Sequence, residues 1–473
     1  MNTRQIVAKN MILSIFLQFF NLFAGVYSIS LIARYLGKAT FGKYGFIWSF
    51  YIFFITFLDF GISVLGIREV ARDRKNAGLF LSNLVTFKFF LSVLLALFAI
   101  SIAYIFPFPH DLKIALSLYA PVLIFFALES IQIIFEADLR YEYIALSSVS
   151  WRVSSLLFLI LAVRLNLGLS FIVISFLLAE IARYLVLYVF SRKFVKIKLP
   201  ALDIELWLKL VKSALPIGIT SLLGTIIRNV DVMMLTKMKG FAEVGLYTAS
   251  TRLCDVSFSL PLALMGSMFP LMSKYYKQDL NTLRRIYQKT FDILSACGVL
   301  LTVLVLALAD KIIILLFGAD FVTSAIVFKI LIFSVLSVYL AIGAGSLIIV
   351  ADRQKANMRI YLLAAPLSVA LNLILIPHFG IIGAAISNVA AMFLAVSLTF
   401  YFVNTKLKIP LEITKFKKTI IAGLITLTIL FCLRGFNVFI SLFIGICLYG
   451  FLVIFLKAVD RDDIILLVDK PNP

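Results

Sequence analysis

Long apolar runs, separated by short polar breaks, set the pattern of this chain. They fall near 10–33, 43–66, 79–105, 114–137, 144–163, 169–190, 213–236, 244–270, 291–317, 325–350, 358–377, 381–403, 418–433 and 438–457. A helix needs roughly 20 apolar residues to cross ~30 Å of hydrocarbon. The pattern therefore predicts an all-α integral membrane protein of about fourteen transmembrane helices. The first run is too long for a signal-peptide core and no small-residue cleavage site follows it, so it reads as the first span.

The order of short motifs suggests a duplication. Phe41-Gly42-Lys43-Tyr44 after the first span is echoed by Val244-Gly245-Leu246-Tyr247 after the seventh. Glu136-Ala137-Asp138-Leu139-Arg140 after the fourth is echoed by Val350-Ala351-Asp352-Arg353 after the tenth. Asn166-Leu167-Gly168-Leu169 is echoed by His378-Phe379-Gly380-Ile381. The offsets, about 203, 214 and 212 residues, are nearly constant. Six crossings return a chain to its starting side, so the copies would be parallel repeats. The expected organisation is an N-terminal six-helix lobe (1–190), a basic cytoplasmic linker (191–212) and a C-terminal six-helix lobe (213–403). A basic loop and two further helices (404–473) follow. In such a repeat a cavity between the lobes can open to either side.

Composition supports the membrane reading: 62% of residues are hydrophobic and 14% charged, against about a quarter charged in soluble domains. A net charge of +20 on a soluble protein would suggest nucleic acid. Here Lys and Arg concentrate in alternate loops, among them Arg68 to Lys75 and Arg192 to Lys198, which is the signature of orientation. It places both termini in the cytoplasm and predicts no nucleic-acid partner. The four cysteines (254, 297, 432 and 447) all lie in spans and read as apolar packers. Two histidines cannot supply zinc or haem spacing. Asp59-Phe60-Gly61 spells a kinase metal triplet, but inside a span and without a glycine-rich loop. No phosphate-cradling GxxxxGK[ST] is present, so direct ATP drive has no support.

Polar residues inside spans are costly and face protein or water. Span one carries Ser14, Gln18, Asn21, Gly25 and Ser28 on one face. Span two carries Thr56, Asp59 and Ser63, span seven Thr220, Gly224, Arg228 and Asp231, and span eight Thr248, Arg252, Asp255 and Ser259. Two readings stand: helix–helix hydrogen bonding or the lining of a shared cavity. Arg228–Asp231, Arg252–Asp255 and Glu180–Arg183 are spaced to neutralise each other on one helix. Alternatively Arg228 and Arg252, with Gln18 and Asn21, hold an anionic headgroup, since a guanidinium fork suits phosphate. Asp59, Asp231 and Asp255 would then titrate or bind a coupling cation. Glu129, Arg152 and Lys329 are intramembrane charges whose partners cannot be read from sequence. Pro216 and Pro261 fall in the cavity helices, as hinges or as static kinks.

The stretches Ala33-Arg34-Tyr35-Leu36-Gly37, Phe41-Gly42-Lys43-Tyr44-Gly45, Leu58-Asp59-Phe60-Gly61, Arg68-Glu69-Val70-Ala71, Val244 to Ala249, Phe269-Pro270-Leu271-Met272-Ser273, Leu316 to Phe321 and Phe379 to Ala385 resemble polysaccharide flippases. These form the polysaccharide-transport branch of the multidrug/oligosaccharidyl-lipid/polysaccharide exporter superfamily. The resemblance runs over about residues 10–403. It implies twelve core helices, often with two more. It further implies movement of a polyprenyl-(di)phosphate-linked oligosaccharide to the outer leaflet of the cell membrane by alternating access. It implies no cofactor beyond a coupling cation, and as partners the membrane lipid, the lipid-linked oligosaccharide and other polysaccharide-assembly proteins. Such a protein is a transporter, not an enzyme. A multidrug exporter of the same superfamily would want an acidic, aromatic-lined cavity, against which Arg228 and Arg252 argue. A membrane enzyme of glycan assembly would want a sizeable outer loop, and the outer loops here are short.

Overall fold

The computed structural model describes residues 3–138, 140–195, 201–433 and 435–458, with side chains from residue 20 onward. The apolar runs become helices, and no strand occurs among the described residues. Among the described residues, eleven helical stretches are long and apolar enough to cross a membrane. The chain folds as two compact units, Met1–Thr236 and Lys237–Pro473.

The first unit holds α1 (Thr3–Asp59), α2 (Ile62–Arg72), α3 (Ala77–Ile105), α4 (His110–Tyr119), α5 (Val122–Leu128), α6 (Ile133–Ala137), α7 (Tyr141–Arg164), α8 (Gly168–Ser191) and most of α9 (Ile204–Met238). The seventh apolar run thus groups with the N-terminal half. The expected linker shortens to residues 192–203, of which 196–200 lie outside the described residues. α1 is two helices joined at Gly37, whose φ of 68° an L side chain adopts only with strain. Tyr35 Oη accepts a hydrogen bond from Gly168 N at 3.0 Å, and Lys43 pairs with Asp111. Arg74 pairs with Asp138 at 2.7 Å across the other set of alternate loops, as a serpentine chain requires. In the loop after α2, Asp73 accepts from Asn76 Nδ2 at 2.7 Å and from Asn76 N at 3.3 Å. Those hydrogen bonds hold its carboxyl below the usual carboxylate range.

Two spans expected to be continuous are broken here. The second breaks at Phe60–Gly61, where both residues have positive φ (39° and 78°). Packing explains the break. The Phe60 ring lies on Gly218 of α9, where a Cβ would come within 2.3 Å of it, and Gly61 abuts Ile217. Pro216, next to Ile217 in the chain, leaves α9 helical. The fourth span breaks twice, after Tyr119 at Ala120–Pro121 and again in a 3₁₀ turn, Glu129–Gln132. Irregular backbone at membrane depth is tolerated where it is buried in protein or lines a polar cavity.

The second unit holds α10 (Phe241–Ser257), α11 (Ser259–Tyr275), α12 (Leu280–Phe317), α13 (Ser324–Val350), α14 (Gln354–Phe402), α15 (Thr414–Cys432) and α16 (Val438–Phe455). The eighth span also breaks, at Phe258, and Tyr339 Oη donates to the carbonyl of Ser257 at 2.6 Å. α14 is two helices joined at Gly380. Gly240 and Gly380 stand 203 and 212 residues after Gly37 and Gly168, and all four have positive φ. The turn chemistry therefore recurs at the expected offsets. α15 and α16 pack on α12 through Gly423 against Val299, Gly445 against Leu304, and Tyr449 Oη donating to Ala296 O at 2.8 Å. The basic loop before α15 is clamped to α12. Gln288 exchanges two hydrogen bonds with the Glu412 backbone, at 2.8 and 2.9 Å, and Arg284 reaches Lys408 O at 3.1 Å.

Candidate functional site

Breaks in two spans of the first unit turn polar side chains toward one cavity of about 430 Å³. Its walls include Thr56 and Asp59 of α1, Ser63 of α2, Lys88 of α3, Glu129, Ser130 and Gln132 of the 3₁₀ turn, Glu136 of α6, Arg183 of α8, and Ser221 and Thr225 of α9. Asp59 ends its helix and Ser63 lies in the first turn of the next, so the Phe60–Gly61 break presents both together. The Ser63 hydroxyl donates to Asp59. The Lys88 ammonium, on a side chain 4% exposed, donates to Asp59 Oδ1 at 2.7 Å and to Ser63 Oγ at 2.9 Å. Thr56 and Thr225 share a hydroxyl hydrogen bond of 2.9 Å, tying α1 to α9.

A second cluster centres on Arg183. Arg183 Nε is 3.1 Å from Glu129 Oε1, and Nη1 is 3.8 Å from Glu180 Oε2. Arg183 Nη2 donates to Gln132 Oε1 at 3.3 Å, and Gln132 Nε2 donates to Glu136 Oε1 at 2.5 Å. Behind Arg183 a smaller aromatic pocket of about 230 Å³ is lined by Trp48, Tyr51, Tyr119 and Trp151, with Glu180.

The structure redistributes the expected pairings. Glu180 and Arg183 do face each other, but the closer partner of Arg183 is Glu129, from the broken fourth span. Glu129 thus acquires a partner that sequence could not name, and Lys329 acquires Asp310, at 2.5 Å. Arg152 stacks on Trp151 at 4.8 Å and lies against Gly25 of α1, so one glycine of the span-one stripe makes room for a guanidinium. Lys88 was the missed member. Its signal was a single lysine inside the apolar run Val85-Thr86-Phe87-Lys88-Phe89-Phe90.

The remaining candidates divide as follows. Asp59 joins the cavity as the partner of Lys88. Asp231 is 1% exposed and its Oδ1 accepts from Val232 N at 2.8 Å. Arg228, three residues before it, is exposed, and Asn21 is half-buried. In the second unit, Arg252 and Asp255 pair along α10 at 3.4 Å. The Gln18 side chain lies outside the described residues.

Comparison with known proteins bears on what this arrangement serves. Residues 7–276, more than half of the chain, match the model of a family described as "Polysaccharide biosynthesis protein". The chain belongs to that family. It is 24% identical over 243 residues to the capsular polysaccharide biosynthesis protein CapF of Staphylococcus aureus, covering 50% of this chain and 60% of CapF. It is 24% identical over 241 residues to the probable low-salt glycan biosynthesis flippase Agl15 of Haloferax volcanii, covering half of each. The matched stretch thus spans less than two thirds of these curated relatives. Among solved structures, the lipid II flippase MurJ in an inward closed conformation is similar with a TM-score of 0.79, over 96% of this chain and 100% of MurJ, at 17% identity. The fold is MurJ-like.

Proposed function

We propose that this protein moves a lipid-linked oligosaccharide, carried on a polyprenyl phosphate or diphosphate, from the cytoplasmic to the outer leaflet of the cell membrane by alternating access. Family membership, the names of the relatives and the MurJ-like fold support a flippase. Within the chain, the observation that carries the reading is Arg228, an exposed guanidinium on a membrane helix. A charged group on a spanning helix is too costly to leave in lipid, so in this reading it marks a polar path for an anionic headgroup. In this reading Arg228 and Asn21 of the first unit, and independently Arg252 of the second, are polar contacts on the headgroup's path, and the prenyl tail stays in hydrocarbon. Gly37 and Gly380 act as turns between consecutive spans, and α15 is a further span, which gives fourteen crossings with both termini cytoplasmic.

The test is headgroup flipping in proteoliposomes containing a polyprenyl-diphosphate-linked glycan, comparing wild type with Arg228→Ala and Arg252→Ala. Loss of flipping in either folded variant supports both the function and the site. Flipping by wild type and both variants alike keeps the function and removes the arginines from the site. Wild type that moves no lipid-linked glycan overturns the reading.

A further inference from the structure

Glu129 and Glu180 are both buried, at 7% and 5% exposure, and both reach the same guanidinium. Their carboxyl groups therefore crowd around one cation, at 3.1 Å and 3.8 Å from its nitrogens. The other charges facing them are Lys88 of α3, Asp59 of α1 and Glu136 of α6. Lys88 is committed to Asp59 at 2.7 Å, and Glu136 is held by the neutral Gln132. One arginine therefore stands against two buried carboxylates. Two like charges crowded around one guanidinium cannot both persist in a desolvated site unless something compensates the second. A further sign of a missing donor is Glu180 Oε2, a buried carboxylate oxygen with no hydrogen-bond partner among the described residues.

We propose that Glu129 and Glu180 form a proton-carrying dyad, sharing a single proton at neutral pH beside Arg183 and exchanging it through the cavity. The proton closes the charge count, and the protonated carboxyl becomes the donor that its neighbour lacks. A metal cation fits less well. The guanidinium already occupies one side of both carboxyls and would repel it, and hard cations want six or more oxygens. No group of three or more His, Cys, Asp or Glu suited to a metal occurs among the described residues. The 3₁₀ turn that carries Glu129 is a natural place for the gain or loss of a proton to act, since short 3₁₀ segments inside helices often mark hinges. A shared proton here does not depend on what the protein carries.

The experiment is infrared difference spectroscopy of the full chain in lipid nanodiscs, titrated from pH 5 to 9 in sodium-free buffer. Wild type should show a protonated-carboxyl band at pH 7 that downshifts in D₂O and titrates as one proton. Glu129→Gln and Glu180→Gln should each abolish the band, and Glu136→Gln should leave it. Should a glutamine variant not fold, Glu129→Asp and Glu180→Asp should each displace the band. Absence of the band in wild type overturns the dyad, as does its persistence in both glutamine variants. Loss in only one of them overturns the sharing. Loss in Glu136→Gln moves the proton elsewhere. Removal of the wild-type band by added Na⁺ at fixed pH replaces the proton with a metal cation.

Discussion

Asp59 and Lys88 form a pair whose two ends are unequally buried, and this predicts unequal costs for removing each partner. At 2.7 Å their gross attraction is about 6 kcal/mol at an effective dielectric of about 20, most of which offsets desolvation. Asp59→Asn leaves Lys88, 4% exposed, charged and held mainly by Ser63. An uncompensated buried charge costs ~3–5 kcal/mol, and the Ser63 hydrogen bond places the expected loss near the lower end, about 3 kcal/mol. Lys88→Met leaves Asp59, 43% exposed, open to cavity water and still accepting from Ser63, so the expected loss is about 1 kcal/mol. The double variant should also cost about 1 kcal/mol, a coupling of about 3 kcal/mol. All three tryptophans, Trp48, Trp151 and Trp207, lie in the first unit, so their fluorescence follows unfolding of the unit that holds the pair. Melting midpoints in detergent should rank wild type first, then Lys88→Met and the double variant together, then Asp59→Asn last. If Lys88→Met melts below Asp59→Asn, or the double variant loses the sum of the singles within about 0.5 kcal/mol, the burial argument is refuted.

Gly218→Ala should destabilise the first unit by about 1–3 kcal/mol through overpacking, because the new methyl meets the Phe60 ring. Phe60→Leu in that background should raise the tryptophan melting midpoint again, and a wild-type midpoint for Gly218→Ala would contradict the contact. Asp279 caps α12, accepting from Asn281 N at 2.9 Å, from Thr282 N at 3.2 Å and from the Thr282 hydroxyl at 2.5 Å. Its carboxyl is held below the usual range chiefly by the Thr282 hydroxyl. A lowered folded value means the cap is fully formed above about pH 4 and weakens as pH falls through the folded value. The protection factors of the Asn281 and Thr282 amides, that is exchange relative to the intrinsic rate at each pH, should therefore be high at neutral pH, fall only in acid, and be low at all pH in Asp279→Ala. Gln288→Ala should free the basic loop from α12, read as faster exchange at Glu412 N, which donates to Gln288 Oε1 at 2.9 Å. Unchanged exchange there would remove the clamp.

The sequence alone determined where helices form, because hydropathy and period are local properties that add over a window of about 20 residues. The same locality made the recurring turn glycines legible: Gly168 and Gly380 need a positive φ whatever packs around them. The polar faces were also visible, and Asp59 does meet a cavity. What only tertiary structure decided was the choice of partners. Spacing along one helix offered Glu180 to Arg183, yet the nearer carboxylate belongs to Glu129, 54 residues away, and Lys88 finds Asp59 across 29 residues. An ion pair in a desolvated interior goes to whichever helices pack together, and that selection involves contacts no local window contains. The break at Phe60 has the same origin. A phenylalanine adopts φ 39° only because its ring must lie on Gly218, 158 residues further along the chain.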